Sequence, residues 1–321
     1  MKGRPITHAL LLLVCSAWCC RSAPAQGNLR APGTNPLDTG VLLIAHGGSK
    51  DWNEQVKNVA SQVDNEMPTE VSFGMADRAT LQEGIDRLTA RGVKQIVAVP
   101  LFISSHSSVI ECTKYLLGLR PDPPKELADF TMDDAMPAMA GHAAAGVPPP
   151  KPPALPTPVK SAIPIRMTPA LDRHPVVAEI LADRAAAIAK DPARDVLILV
   201  AHGPDDDQEN AEWLADMAAL AKQIAARKSY ARIECVTLRD DADAPVRDQA
   251  TAELRKKTQA ADDAGYHVLI VPLLLSYGGI ENGLRQRLDG IEHTLSPQAL
   301  LPDPRIAQWV LESAREMHRQ R

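Results

Sequence analysis

The sequence is short of aromatic side chains and of positive charge. Phe, Trp and Tyr make up 3% of its 321 residues, and the formal net charge at pH 7 is −5. Nucleic-acid-binding chains usually carry a basic excess, so we expect no nucleic-acid partner. No stretch follows the G-x-G-x-x-G pattern of dinucleotide-binding proteins or the G-x-S-x-G pattern of many hydrolases. We therefore expect neither a nucleotide cofactor nor serine-hydrolase chemistry.

Cysteine is also scarce, and three of the five cysteines lie in Met1–Ala25. This segment starts with Lys2 and Arg4, continues with an apolar stretch too short to span a membrane, and ends in a small-residue cleavage pattern. We predict a signal peptide at 1–25, a periplasmic or secreted protein, and no membrane span in the mature chain. An ordinary N-terminal helix is the alternative. The remaining Cys112 and Cys235 could pair in an oxidising compartment, although two separate buried thiols are the simpler expectation.

One phrase occurs twice in the chain. Val41–Ser49 reads VLLIAHGGS and Val196–Gly203 reads VLILVAHG, so an apolar run leads into His46 and again into His202. A short apolar run that stops at glycine predicts a buried parallel strand followed by a loop. Because ligands of parallel α/β sheets bind at the carboxyl ends of the strands, both histidines fall where chemistry is expected.

A second phrase is also repeated in the same order. Gln95–Ser104 reads QIVAVPLFIS and His267–Ser276 reads HVLIVPLLLS. An internal duplication of alternating strands and helices predicts two tandem Rossmann-like domains, each a parallel sheet with helices on both faces. Since one chain carries both copies, we expect a monomer. The predicted organisation is a flexible lead-in at 26–38, a first repeat at 39–190 with a Pro-rich insertion or linker at 121–160, and a second repeat at 191–321.

Further strands are predicted between these phrases, at Val71–Met75, Ala162–Met167 and Arg232–Leu238. His174 precedes a proline and is predicted to start a helix. The insertion holds Met132, Met136, Met139 and His142, which could capture a soft metal or simply fill a proline-rich loop.

Two histidines of the first repeat are candidates for chemistry. His46 ends the first predicted strand, and His106 lies just beyond the third, in SSHSS. The first and third strands of a doubly wound sheet are often neighbours, so both imidazoles are expected at one edge. There they could bind a divalent metal or accept protons from a ligand. The alternative for each is a loop residue that only forms hydrogen bonds.

The order of VLLIAHGG, VPLFIS with His106 close behind, and a helix opening at His174 and Pro175 resembles the class II tetrapyrrole chelatases. This is the sirohydrochlorin cobaltochelatase and ferrochelatase family, and the resemblance runs from about Leu37 to the C-terminus outside the Pro-rich segment. It implies a lyase that inserts a divalent metal into a sirohydrochlorin-like tetrapyrrole, as in cobalamin biosynthesis. Co²⁺ is the metal expected first, with Fe²⁺ or Ni²⁺ as alternatives, and no nucleotide is needed. The family's metal-carrying histidines match His46 and His106, which are the predicted catalytic residues.

The family's glutamate on the second strand is replaced near Met75, in the phrase FGMAD. We predict that Met75 joins His46 and His106 as a metal ligand, and such a set favours softer ions than usual. Asp77 is a possible substitute for the missing acid.

The second copy departs further from the family pattern. It keeps His202 but shows Tyr277 and Gly278 where a second histidine is needed, and in the first copy the usual position of that histidine holds Ser108. We therefore predict one working site in the first copy, with the second copy closing the cleft. The alternatives are a non-catalytic periplasmic carrier of metal or tetrapyrrole, and an interaction module that keeps only the scaffold.

Overall fold

The fold contains two parallel sheets of four strands each. The computed structural model describes residues 38–128 and 155–320. The first sheet consists of β1 (Thr39–Ala45), β2 (Thr69–Phe73), β3 (Gln95–Pro100) and β4 (Ile165–Met167), and the second of β5 (Asp195–Ala201), β6 (Arg232–Thr237), β7 (His267–Leu273) and β8 (Thr294–Leu295). Their orders, β2-β1-β3-β4 and β6-β5-β7-β8, are the same. The predicted fold of two tandem Rossmann-like repeats is confirmed.

The helices alternate with the strands. They are α1 (Lys50–Asp64), α2 (Arg78–Ala90), α3 (Ser108–Leu116), α4 (Pro175–Ile188), α5 (Asp207–Arg227), α6 (Ala244–Asp263), α7 (Ile280–Arg287) and α8 (Pro304–Arg319). Polar side chains start several of them, because a side-chain oxygen can satisfy a backbone N–H that has no partner inside the helix. Ser49 accepts from the N–H of Trp52, and Asp206 accepts from the N–H of Glu209.

The central strands are covered on both faces, which explains their unbroken apolar sequences. All seven residues of β1 and all seven of β5 are buried. Val41 and Leu43 on one face of β1 belong to the same apolar cluster as Leu197 and Leu199 of β5. We call this cluster, which spans both sheets and includes residues of α4 and α8, the shared core. Residues on the opposite face of each strand contribute to a separate cluster within their own repeat.

The repeats exchange their last helices. α8, at the end of the chain, packs against α1 and β3 of the first sheet, whereas α4 packs against α5 and β7 of the second. Polar contacts accompany this exchange: Arg166 donates to the carbonyl of Met317 at 2.6 Å, and Arg184 donates to that of Ala299 at 2.9 Å. The described residues, 38–128 and 155–320, accordingly belong to one compact unit. The predicted division at residues 190 and 191 stays a prediction.

Some boundaries differ from the sequence prediction. The third strand ends at Pro100 rather than at Ser104, because the chain leaves the sheet to bond the segment before α4. Asp172 donates its N–H to the carbonyl of Ile103 at 2.9 Å in this loop. Strand β8 escaped prediction since its two residues are too few to show a pattern.

Cys112 lies in the cluster on the outer face of the first sheet, and the half-buried Cys235 packs against the shared core. The two thiols are therefore separate, as expected, but only Cys112 is fully buried. The predicted signal peptide and the Met132–His142 segment lie outside the described residues. Within 38–128 and 155–320, no helix has the length and apolar character needed to cross a membrane.

Candidate functional site

The loops that carry His46 and His106 leave the same edge of the first sheet. Strands β1 and β3 are hydrogen-bonded neighbours in parallel, and Ile44 is aligned with Pro100. His46 follows β1 directly, whereas His106 lies six residues beyond the end of β3. Gly47 has a φ of +87°, a conformation open to glycine at little cost, and this residue turns the chain from β1 toward α1.

His46 is exposed, and its ring is oriented by two neighbours. Nδ1 bonds to the carbonyl oxygen of Gly47, and the ring meets Trp52 edge-on with 6.4 Å between the ring centroids. A carbonyl only accepts, so Nδ1 carries the hydrogen in this contact. In the neutral ring, Nε2 is then the nitrogen with a lone pair, which is the tautomer needed for binding a metal or accepting a proton.

His106 is held by the second repeat. Its carbonyl accepts a hydrogen bond from the indole Nε1 of Trp213 at 2.8 Å, and its own N–H donates to Ser104 Oγ at 3.1 Å. The imidazole is 43% exposed, and its Nε2 lies 3.9 Å from Oδ2 of Asp216. Trp213 and Asp216 are three residues apart on α5 and therefore share one face of that helix. The second repeat thus contributes side chains to the loop that carries His106.

Asp216 lies in an unusual environment for a carboxylate. Its side chain is 14% exposed, Oδ2 has no hydrogen-bond partner among the described residues, and Oδ1 is 3.9 Å from Arg173 Nε. Burial raises the pKa of this carboxyl, and the charge of Asp172 adds to that rise, while His106 and Arg173 act in the opposite direction. Asp216 was not predicted from the sequence, because it lies in the second repeat, far along the chain from His106. The one sequence signal is its spacing of three residues from Trp213, which places both side chains on the same face of a helix.

The matching loop of the second repeat makes a reciprocal contact. The aligned phrases place Gly278 at the position of His106. A Cβ on Gly278 would meet Trp52 Cδ1 at 3.4 Å, so this loop lies against a tryptophan of the first repeat just as the His106 loop lies against Trp213. The preceding Tyr277 is turned inward, where it donates to the carbonyl of Ser296 at 2.5 Å, and burial raises its pKa to about 12.

The other candidates near this edge have structural contacts. Met75 is half-buried and packs against the apolar cluster on the outer face of the first sheet. Asp77 starts α2, and its Oδ1 accepts from the N–H groups of Ala79 and Thr80 at 2.7 and 3.3 Å. His174 starts α4 as predicted, with Nδ1 accepting from the N–H of Val176 at 3.3 Å. The assignment of Met75 as a ligand stays a prediction.

The second repeat has a buried cation at the corresponding edge of its sheet. Arg239 is the second residue after β6, as Met75 is the second after β2. Its guanidinium, 11% exposed, donates from Nε to the carbonyl of Pro204 at 3.1 Å and from Nη2 to that of Asp205. Arg239 therefore stabilises the loop after His202 and places a positive charge beside it, which disfavours binding of a metal cation nearby. This arrangement supports the prediction that only the first repeat has a working site.

Replacing Arg239 by leucine is expected to lower the free energy of unfolding by about 1–3 kcal/mol, because two loop carbonyls lose their donors. Urea unfolding followed by circular dichroism measures this loss. Asp207 also pairs with Arg239, at 2.6 Å, but its side chain is 89% exposed. Asp207→Asn is the matched control and should cost at most about 1 kcal/mol. An equal cost for the two variants would show that the surface ion pair, not the carbonyl contacts, gives Arg239 its role.

The described residues contain no group of three or more His, Cys, Asp or Glu side chains positioned to hold a metal ion. His46 and His106 share an edge of the sheet, but the carboxylate paired with the His106 imidazole is that of Asp216, from the second repeat. A cavity of about 470 Å³ lies elsewhere, between β6 and α6, with Arg232, Glu234 and Lys257 in its wall. Since Arg232 is the first residue of β6, this cavity is not at the carboxyl edge of the second sheet, and its charges pair with one another. The joint assignment of His46 and His106 to one metal stays a prediction.

The chain is similar to known chelatases in sequence. The sequence model of the CbiX family matches residues 40–188. A sirohydrochlorin cobaltochelatase of Methanothermobacter thermautotrophicus is 30% identical over 83 residues, which make up 25% of this chain and 58% of that relative. The match thus spans little more than half of the relative's length.

Solved structures with the same fold include two chelatase structures from Bacillus subtilis. The structure of SirB with Fe³⁺ is 15% identical, with a TM-score of 0.57 over 87% of this chain and 94% of that one. The sirohydrochlorin chelatase SirB of subspecies spizizenii, in complex with cobalt, is 13% identical, with a TM-score of 0.51 over the same shares of the two chains. At these identities, the structural likeness shows the fold alone.

Proposed function

We propose that the protein inserts a divalent metal, with Co²⁺ the first expected, into a sirohydrochlorin-like tetrapyrrole, because the CbiX family model matches residues 40–188 of this chain. The observation that carries this proposal is the position of His46 directly after the central strand β1, exposed and with its Nε2 lone pair available. An imidazole at the carboxyl edge of a parallel sheet suits both metal capture and proton acceptance.

The proposed chemistry exchanges protons for a metal ion. As the divalent ion binds the macrocycle, both pyrrole N–H protons must leave, and a neutral imidazole near the ring is a suitable acceptor. His46 and His106 are the proposed residues for this step, and the second repeat closes the site over the macrocycle. The cross-repeat contact from Trp213 to His106 supports a role for both repeats.

A metal-insertion assay tests the proposal directly. Purified protein is mixed with sirohydrochlorin and Co²⁺, and the absorption change of the macrocycle is followed beside a protein-free reaction. We expect insertion faster than the protein-free rate and proportional to protein concentration. Fe²⁺ and Ni²⁺ are compared under the same conditions to identify the preferred metal. A rate equal to the protein-free rate with all three ions would reject the catalytic proposal.

A carrier of metal or tetrapyrrole is the second candidate function. It is favoured by the absence of an acidic residue at Met75 and by the use of the Asp77 carboxylate as a helix cap. Stoichiometric binding of the macrocycle or the metal without turnover would support this candidate.

We also propose that Met1–Ala25 directs export, and detection of a mature chain starting near Gln26 in the periplasm or medium would support that location.

A further inference from the structure

The pair formed by His106 and Asp216 is not explained by its place in the fold. Asp216 belongs to the repeat predicted to be inert, and its buried Oδ2 has no hydrogen-bond partner among the described residues. A buried carboxylate oxygen without a partner is costly, so such an atom indicates a missing cation or donor. The imidazole Nε2 of His106 lies 3.9 Å from this oxygen.

The distance between these atoms is compatible with a shared metal ion. Bonds from a divalent ion such as Zn²⁺ are about 2.0–2.1 Å to imidazole nitrogen and about 2.0–2.2 Å to carboxylate oxygen, so one nitrogen and one oxygen on the same ion stand at most about 4.3 Å apart. The observed 3.9 Å lies inside that limit. It is too long for a direct hydrogen bond between the nitrogen and the oxygen.

The surrounding charges also favour a cation. Asp172 and Glu212 act on Asp216 as negative neighbours, and Arg173 is the positive one. Asp172 is held by Ser105, whose N–H and Oγ donate to its two carboxylate oxygens at 2.5 and 2.8 Å. Both carboxylate oxygens of Asp172 are therefore already bonded beside the pair.

We propose that His106 and Asp216 form a two-residue metal-binding site across the two repeats, with water or substrate nitrogen in the remaining coordination positions. The ligand class is a divalent transition-metal ion that accepts one imidazole and one carboxylate, such as Co²⁺ or Zn²⁺. This inference rests on the proposed function in one respect: the ion bound by His106 and Asp216 is taken to be the ion that is inserted into the tetrapyrrole. Trp213 is a positioning residue in this site, because its indole N–H fixes the backbone of His106 from the same helix that carries Asp216.

Co²⁺ titration of the metal-free full chain, followed by calorimetry and by the visible absorption of bound Co²⁺, tests this site. Asp216→Asn and His106→Gln are each expected to weaken Co²⁺ binding at least about 10-fold. If both side chains bind one ion, the double variant should be weakened by less than the product of the single effects. Asp241→Asn is the matched control, since Asp241 lies 3.6 Å from His202 in the second repeat but is 77% exposed. This variant should bind Co²⁺ as the wild type does.

Unchanged Co²⁺ affinity and absorption in Asp216→Asn, or an equal loss in Asp241→Asn, would overturn the proposed site. Thermal melting of each variant shows whether it is folded, and Asp216→Ser carries the test if Asp216→Asn is not. Failure of this proposal is distinguishable from failure of the proposed function. If Asp216→Asn leaves metal insertion unchanged, only the proposed His106–Asp216 site is rejected. If Co²⁺ binding depends on Asp216 but no insertion is observed, only the proposed catalytic function is rejected.

Discussion

Replacing His46 by alanine is expected to lower the rate of metal insertion at least about 100-fold, within the range lost when a general base or metal-binding group is removed. His46 follows the central strand of the first sheet, and its Nδ1 contact with Gly47 leaves Nε2 as the basic nitrogen. Alanine at this position removes the imidazole while the exposed location spares the core. Initial insertion rates with sirohydrochlorin and Co²⁺ measure the effect.

His202→Ala is the matched control for this prediction. His202 follows β5 as His46 follows β1, but the buried, positively charged side chain of Arg239 lies against the loop after His202. We therefore expect His202→Ala to insert metal at nearly the wild-type rate. Equal rates for His46→Ala and wild type would exclude His46 from the reaction, and an equal loss in the two variants would contradict the assignment of one working site.

The architecture could be predicted from the sequence because the signals for it are local. The buried central strands are continuous apolar runs, and the repeated phrases at His46 and His202 reveal the duplication by themselves. The parallel pairing of β1 and β3 then follows from the usual strand order of such sheets. The expectation that His46 and His106 lie at the same edge of the sheet depends only on this pairing of β1 with β3.

The exchange of α4 and α8 between the repeats could not be predicted in this way. In both helices the apolar residues recur at the spacing of an amphipathic helix. This spacing is the same whichever of the two sheets the helix packs against. Which sheet it covers depends on packing between distant parts of the chain. The same limit hid Asp216, whose contact with His106 joins a loop of one repeat to a helix of the other.

Site chemistry at β2 shows a different limit. The sequence suggested Asp77 as a substitute acid because it lies two residues beyond Met75, but spacing says nothing about which group a carboxylate bonds. In the structure its Oδ1 caps α2, which is a common role for aspartate before a helix. Arg239 was missed for a related reason, since an arginine in a loop sequence does not reveal that its side chain is buried.

The exchange of helices leads to a prediction on stability. Trp309 of α8 is 3% exposed and belongs to the shared core, and its ring meets His174 at the start of α4 edge-on with 6.4 Å between centroids. Trp309→Ala is therefore expected to lower the free energy of unfolding by about 3–5 kcal/mol, the usual cost of removing a buried aromatic side chain. Urea unfolding measures the loss, and Gln308→Ala, at an exposed neighbouring position, is the control with little expected effect.

Hydrogen exchange identifies the elements that Trp309→Ala destabilises. Although α8 is the last helix of the chain, it packs against α1 and β3, so the amides of these first-repeat elements should exchange faster in Trp309→Ala. In a chain whose last helix served only its own repeat, faster exchange would appear in β5 and β7 alone. That second pattern would contradict the exchange of helices, and with it the conclusion that neither repeat completes its core without the other.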